Sequence, residues 1–217
     1  MPEVWTIVVA GGSGERFGER KQFTLLDGRP VASWAVAASR PWSEGIVLVV
    51  PPGAECGHLG ADLVVEGGAT RSASVRQGLA KVPATADVVL VHDAARPLAS
   101  AGLFGAVLDA VLRDGADAAI PAVAVSDTIK RVDDAGRVTD TLDRSMLVAV
   151  QTPQAFRGDV LRRAHEGGTV ATDDAALVEA LGGTVRVVPG ESRNLKITTP
   201  DDLRTAARLV AERGDAT

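Results

Sequence analysis

The chain has 217 residues, 46% of them hydrophobic and 24% charged, a balance that supports one folded domain and excludes disordered, collagen-like and coiled-coil classes. A formal net charge of −5 and an aromatic content of 3% lack the positive field and the stacking surface that nucleic acid or an anionic membrane would require, so neither is an expected partner. Cys56 is the single cysteine and cannot form an intramolecular disulfide, and no apolar run reaches the ~18 residues of a membrane span, so the expected location is cytoplasmic.

Short β-branched runs alternate with helical stretches. Strands are predicted at Val4 to Val9, Ile46 to Val50, Leu63 to Val65, Val88 to Val91, Ala118 to Val125, Val148 to Val150 and Thr184 to Val188. Their unbroken apolar character suits a sheet covered on both faces. Helices are predicted at Pro30 to Ser39, Thr70 to Val82, Ala101 to Arg113, Gly158 to Glu166, Asp173 to Leu181 and Pro200 to Arg213. The last has Thr199 as its N-cap and Asp201 and Asp202 at the positive end of its dipole. The alternation predicts an α/β fold with a doubly wound, mostly parallel sheet, one domain over residues 1–217.

The first strand runs into Ala10-Gly11-Gly12-Ser13-Gly14-Glu15-Arg16-Phe17-Gly18, followed by Lys21-Gln22-Phe23. Small residues leaving a strand's carboxyl end let main-chain N–H groups approach phosphate oxygens, and Arg16 and Lys21 supply charge. The loop lacks the third glycine of a dinucleotide fingerprint, since Phe17 stands there, and Arg20 stands where a Walker A motif demands glycine. Taken alone, it is also compatible with a tight strand-to-helix turn carrying solvated cations.

Further on, Gly67-Gly68 opens the helix that carries Arg71 and Ser74, where amides and a hydroxyl could read a nucleobase edge or simply cap the helix. The strand at Val88 delivers Asp93 to its carboxyl end, followed by Ala94, Ala95 and Arg96. Such a carboxylate suits Mg²⁺, which takes one or two carboxylates and fills its other positions with phosphate oxygens and water, though a helix cap is the simpler role. His92, alternating with Asp93 across the strand, reads as a packed structural residue, and His58 and His165 are isolated. Two alternating runs around Asp133-Asp134-Ala135-Gly136 read as a β-hairpin within an arm at residues 126–147. An isolated hairpin is marginally stable, so the arm is expected to pack on its own domain or on a second subunit.

These segments in order, together with Asp127-Thr128-Ile129-Lys130, Gln151-Thr152-Pro153-Gln154, Thr172-Asp173-Asp174-Ala175 and Asn194-Leu195-Lys196-Ile197-Thr198, resemble the 2-C-methyl-D-erythritol 4-phosphate cytidylyltransferases over nearly the whole chain. The resemblance implies a Rossmann-like nucleotidyltransferase, a Mg²⁺-dependent transfer of CMP from CTP to a polyol phosphate, and a homodimer joined through the hairpin arms. Ribitol 5-phosphate cytidylyltransferase is the alternative reading, with the same CTP machinery. By the family pattern Ala10, Gly11, Gly12, Ser13 and Gly14 form the CTP loop, and Arg16 and Lys21 stabilise the transition state. Gly68, Ala69 and Ser74 line the cytosine pocket, Ala94 lies by the ribose and Asp93 holds the metal. Arg96, Thr128, Arg144, Thr152, Thr172 and Lys196 surround the polyol phosphate, with Arg144 and Lys196 positioning the attacking group. Ala69 replaces a residue that is often polar in the family, which leaves base recognition more dependent on main-chain groups, and Arg193 stands where some members carry an acid.

If Lys21 carries transition-state charge, Lys21→Ala lowers kcat by about 10²–10³ while the dimer survives. Near-normal turnover in a steady-state assay would remove Lys21 from that role.

Overall fold

The computed structural model describes residues 2–11 and 21–214, and the side chains of Lys21 and Arg213 lie outside the description. In chain order the elements are β1 (Val4–Val9), β2 (Leu25–Leu26), β3 (Arg29–Pro30), α1 (Val31–Ser39), β4 (Gly45–Val50), β5 (Leu63–Glu66) and α2 (Arg71–Leu79). Then come β6 (Val88–Asp93), α3 (Ala101–Leu112), β7 (Ala118–Ala124), β8 (Ile129–Val132), β9 (Val138–Leu142) and β10 (Val148–Val150). The chain continues with β11 (Gln154–Arg157), α4 (Gly158–Glu166), α5 (Asp174–Ala180), β12 (Val185–Pro189) and α6 (Pro200–Gly214). Every predicted helix and sheet strand is present, with ends displaced by a few residues.

Among the described residues, eight strands form one sheet in which β5, β4, β1 and β6 are parallel neighbours. β11 lies antiparallel between β6 and β7, β10 pairs antiparallel with β7, and β12 pairs parallel with β7. β11 is the strand of this sheet that sequence patterning missed, as it also missed the short separate pair of β2 and β3. Its four residues have no period to detect: both edges are paired, and Ala155 and Phe156 are fully buried in the cores on opposite faces of the sheet.

The alternation along β6 explains the two layers. Val89 and Val91 join Ile7, Val75, Phe156 and Leu161 in a core shared with α2, α4 and α5. Val88 and Leu90 pack with Leu103, Phe104 and Val107 of α3 on the opposite face. α6 covers Leu26, Val31, Leu98 and Ile197, and its start carries the expected cap, Asp202 N–H donating to Thr199 Oγ1 at 3.2 Å.

The hairpin forms as predicted. β8 pairs with β9 in a separate two-stranded sheet, and Asp133 Oδ1 accepts from the amides of Ala135 and Arg137 in a turn closed by Gly136 at φ 75°. Val132 and Val138 near its tip are 55% and 60% exposed.

Candidate active site

β1 and β6 run side by side with Val9 opposite Asp93, and the strand order turns in opposite directions from this pair. Ligands of open α/β sheets bind outside the carboxyl ends of the strands at such a switch point. A cleft of about 630 Å³ opens there. Of the predicted site residues, Ala10, Gly11, Gly68, Ala69, Ser74, Asp93, Ala94 and Lys196 line it.

Backbone bonds fix its rim. Ala10 N–H donates to Val49 O at 2.7 Å, Ala94 N–H to Val9 O at 3.0 Å and Gly67 N–H to Val50 O at 2.7 Å. Gln22 Nε2 donates to Ala10 O at 2.8 Å, which returns the chain to the end of β1. A Cβ at Gly67 would stand 2.7 Å from Ser74 Oγ, and one at Gly68 would stand 2.5 Å from the Cβ of Ala73. Only glycine lets this loop lie against the first turn of α2. Thr70 Oγ1 caps that turn by accepting from Ala73 N–H at 3.1 Å. The amides at the start of α2 therefore face the cleft with the positive end of the helix dipole.

Asp93 ends β6 and is 8% exposed. Lys196 Nζ donates to its Oδ2 at 2.7 Å and Arg71 Nε to its Oδ1 at 3.5 Å. Burial alone would raise its pKa, but the charges of Lys196 and Arg71 hold the carboxyl far below the usual carboxylate range. Lys196 is held by its neighbours: Ile197 N–H donates to Ala95 O at 2.8 Å, and Asp202 Oδ2 accepts from Thr198 N–H at 2.8 Å. Below the carboxylate, Thr152 Oγ1 accepts from Asp93 N–H and meets His92 Nδ1, both at 3.0 Å. His92 is fully buried, edge-on to Phe104 with ring centroids 5.5 Å apart, the packed residue its pattern predicts.

The other predicted residues fall elsewhere. Thr152 is buried, and its hydroxyl is taken up by Asp93 and His92. Arg96 donates to the carbonyls of Asn194 at 2.7 Å and Val150 at 3.2 Å and is not part of the cleft lining. Thr172 is exposed on the loop before α5, and Thr128 and Arg144 sit on the exposed arm, where Arg144 donates to Ser126 O. Arg193 pairs with Glu212 of α6. Gly12, Ser13, Gly14 and Arg16 lie outside the described residues; Lys21 begins a short 3₁₀ turn beside Gln22, which lines the cleft, and its side chain lies outside the description.

Sequence reasoning missed one chain of contacts. Arg71 Nη1 donates to Asp174 Oδ2 at 2.6 Å, and His165 Nε2 donates to Asp174 Oδ1 at 3.0 Å. His165, isolated in the sequence, is thus tied to the cleft through two side chains. The available signals were Arg71 just after the glycine pair and Asp174 within an acidic helix start. Nothing local joins them across 103 residues.

For a divalent cation the donor set is one ionised carboxylate, Asp93. Among the described residues no group of three or more His, Cys, Asp and Glu could hold a metal. That fits Mg²⁺ bound chiefly by phosphate oxygens and water, and not a metal caged by protein.

The model of the 2-C-methyl-D-erythritol 4-phosphate cytidylyltransferase family matches residues 4–212. The chain is 47% identical to a 2-C-methyl-D-erythritol 4-phosphate cytidylyltransferase of Frankia casuarinae, covering 97% of this chain and 82% of the relative. It is also 47% identical to a bifunctional enzyme IspD/IspF of Anaeromyxobacter dehalogenans, with 94% of this chain and 56% of the relative covered. The chain thus spans about half the length of the bifunctional relatives it matches. The crystal structure of 2-C-methyl-D-erythritol 4-phosphate cytidylyltransferase from Thermus thermophilus superposes with a TM-score of 0.81 at 38% identity, covering 94% of this chain and 98% of that one.

Burial pulls the His92 pKa down from 6.5 to about 4. Between those values the unfolded chain binds the proton and the folded one does not, so stability falls as pH drops from about 6.5 to about 4. Melting temperatures across that range should decline in the wild type and decline less in His92→Gln; parallel curves would show that His92 is not the group responsible.

Proposed function

Given that the chain belongs to the 2-C-methyl-D-erythritol 4-phosphate cytidylyltransferase family, we propose that it transfers CMP from CTP to 2-C-methyl-D-erythritol 4-phosphate, releasing pyrophosphate and forming 4-diphosphocytidyl-2-C-methyl-D-erythritol. The observation that carries this reading is the pairing of the family match with a switch-point cleft in which Arg71 and Lys196 flank the ionised Asp93.

The acceptor's phosphate oxygen is already an anion, so no side chain has to remove a proton from it. The chemical problem is to bring two anions together, and cations and amides should dominate the site. Gly68 and Ala69 offer main-chain groups to the cytosine edge, with Ser74 packed behind them, and Ala94 lies beside the ribose. Gly11, Gly12, Ser13 and Gly14 follow Ala10 in the triphosphate loop and offer it amides, while the Ala10 N–H, donated to Val49 O, fixes where that loop leaves β1. Arg16 and Lys21 take the charge that develops on the nonbridging oxygens and on the departing pyrophosphate. Asp93 would hold Mg²⁺, which neutralises triphosphate charge when bound. Lys196, 43% exposed at its side chain, is free to leave Asp93 for a phosphate. His92 takes no part in proton transfer, since burial keeps it neutral and Thr152 occupies its Nδ1.

The acceptor side involves the arm. Thr128, Arg144 and Thr172 contact the polyol phosphate, Arg144 positions its attacking oxygen, and Arg96 and Thr152 fix the floor beneath it. Thr128 and Arg144 lie outside the cleft lining of their own chain, which supports a homodimer in which the arm of one subunit completes the site of the other. The exposed valines of the hairpin give that arm an apolar contact surface. The enzyme would work in the cytoplasm, where CTP is held; among the described residues no helix is long and apolar enough to cross a membrane.

Pyrophosphate release with CTP and Mg²⁺ tests the reading. It should require 2-C-methyl-D-erythritol 4-phosphate, and release with D-ribitol 5-phosphate alone would transfer the assignment to the longer polyol. Arg144→Ala should raise KM for the polyol phosphate while leaving CTP binding intact; an equal loss of CTP affinity would contradict its placement. Deletion of Lys130 to Thr139 should leave a poorly active monomer by light scattering, and an unchanged mass in solution would refute the arm's role.

A further inference from the structure

From the cleft lining, where Lys196, Asp93 and Arg71 stand, a continuous polar array of described side chains runs on beyond it to Asp174 and His165. Its members come from the loop before α6, the end of β6, the first turn of α2, the start of α5 and the end of α4. Asp174 has no exposed surface, and His165 is 4% exposed. A carboxylate is buried so completely only where partners replace its water. Asp174 has two: Arg71 Nη1 at 2.6 Å on one oxygen and His165 Nε2 at 3.0 Å on the other. Burial would raise its pKa, and the bond from His165 and the charge of Arg71 lower it, so Asp174 is an anion.

The asymmetry at Arg71 is informative. Its bond to Asp174 is short, whereas its contact with Asp93 is at the 3.5 Å limit. The guanidinium is thus anchored on Asp174 and only leans on Asp93. The array holds two cations and two carboxylates, with His165 needing no charge to donate from Nε2. Removing the charge of Asp174 would leave Asp93 as the sole carboxylate for both Arg71 and Lys196. Arg71 could then close on Asp93 with the fork geometry that guanidinium and carboxylate favour. Ser72, next to Arg71, reinforces the arrangement: its Oγ donates to Ala171 O at 3.1 Å and accepts from Ala171 N–H at 3.2 Å, which clasps the loop leading to Asp174.

We propose that Asp174, oriented by His165, is a positioning residue for Asp93: by holding the Arg71 guanidinium it keeps the Asp93 carboxylate available to a divalent cation. The inference rests on the reading of Asp93 as the cation-binding carboxylate.

The test measures metal binding directly. Mn²⁺, standing in for Mg²⁺, is titrated into the full chain with CTP and without acceptor, and free Mn²⁺ is followed by electron paramagnetic resonance. Asp174→Asn should weaken Mn²⁺ binding by about tenfold, the scale of one lost charge interaction. Adding Arg71→Gln to that variant removes the competing guanidinium and should restore affinity to near the wild-type value. A purely structural Asp174 would lower the melting temperature in both variants without this reversal, and unchanged Mn²⁺ affinity in folded Asp174→Asn would overturn the proposal. Should that single variant fail to fold, Arg71→Gln alone decides, because it should bind Mn²⁺ at least as tightly as the wild type, and weaker binding would overturn the proposal. A wild type that binds CTP and releases pyrophosphate with acceptor, yet gains no Mn²⁺ site, would sink the inference while the transfer reading stands. Failure of the wild type to release pyrophosphate with either acceptor would instead count against the transfer reading.

Discussion

The site depends on keeping a negative charge at the end of a buried strand. β6 is covered on both faces and paired along both edges, so Asp93 emerges from an environment that offers its carboxylate little water. An ion in that position needs partners that replace its hydration. Lys196 and Arg71 do so from opposite sides of the carboxylate, one from the loop before α6 and one from the first turn of α2. The rest of the local architecture holds those two cations in place. Ile197 is sunk in the core under α6, Asp202 ties down Thr198, and Asp174 anchors Arg71. The carboxylate that suits the site for a cation also determines how three separate helix starts must be arranged.

This arrangement separates contact from support. Gly68, Ala69, Ser74, Asp93, Ala94 and Lys196 line the cleft, whereas Thr152, His92, Arg96 and Asn194 hold its floor. Asn194 Nδ2 donates to Thr152 O at 2.9 Å, and Gln151 Nε2 donates to Glu191 O at 2.8 Å, so the loop that carries Lys196 is tied to the chain entering β11. The Thr152 hydroxyl is engaged with Asp93 N–H and His92.

What the sequence discloses follows from where the information resides. β1, β4 and β6 are legible because a parallel strand buried on both faces is predominantly apolar, and Asp93 stands out as the carboxylate that follows such a run, after His92, just where the strand ends. The hairpin is legible because its turn residues are local, and α6 because its cap is. β11 is opaque: Gln154 to Arg157 form a strand only because β6 and β7 each offer an edge. The tie from Arg71 to Asp174 is opaque for the same reason, since it spans 103 residues and has no counterpart in any local spacing. Thr128 and Arg144 are legible as motif members, yet their place relative to the cleft belongs to the arm and not to the sheet.

The late arrival of β11 bears on how the chain is made. During synthesis β1, β4, β5 and β6 are complete by residue 93, but the edge of β6 that faces away from β1 has no partner until Gln154 to Arg157 emerge. In that interval Val88 to Val91, an uncharged run of valine and leucine without proline, presents unpaired backbone on an apolar strand. Open edges of this kind template pairing between chains. A nascent chain stalled between these segments, or a fragment ending before β11, is therefore prone to associate with itself, and the antiparallel strand inserted between β6 and β7 doubles as the stopper for an adhesive edge.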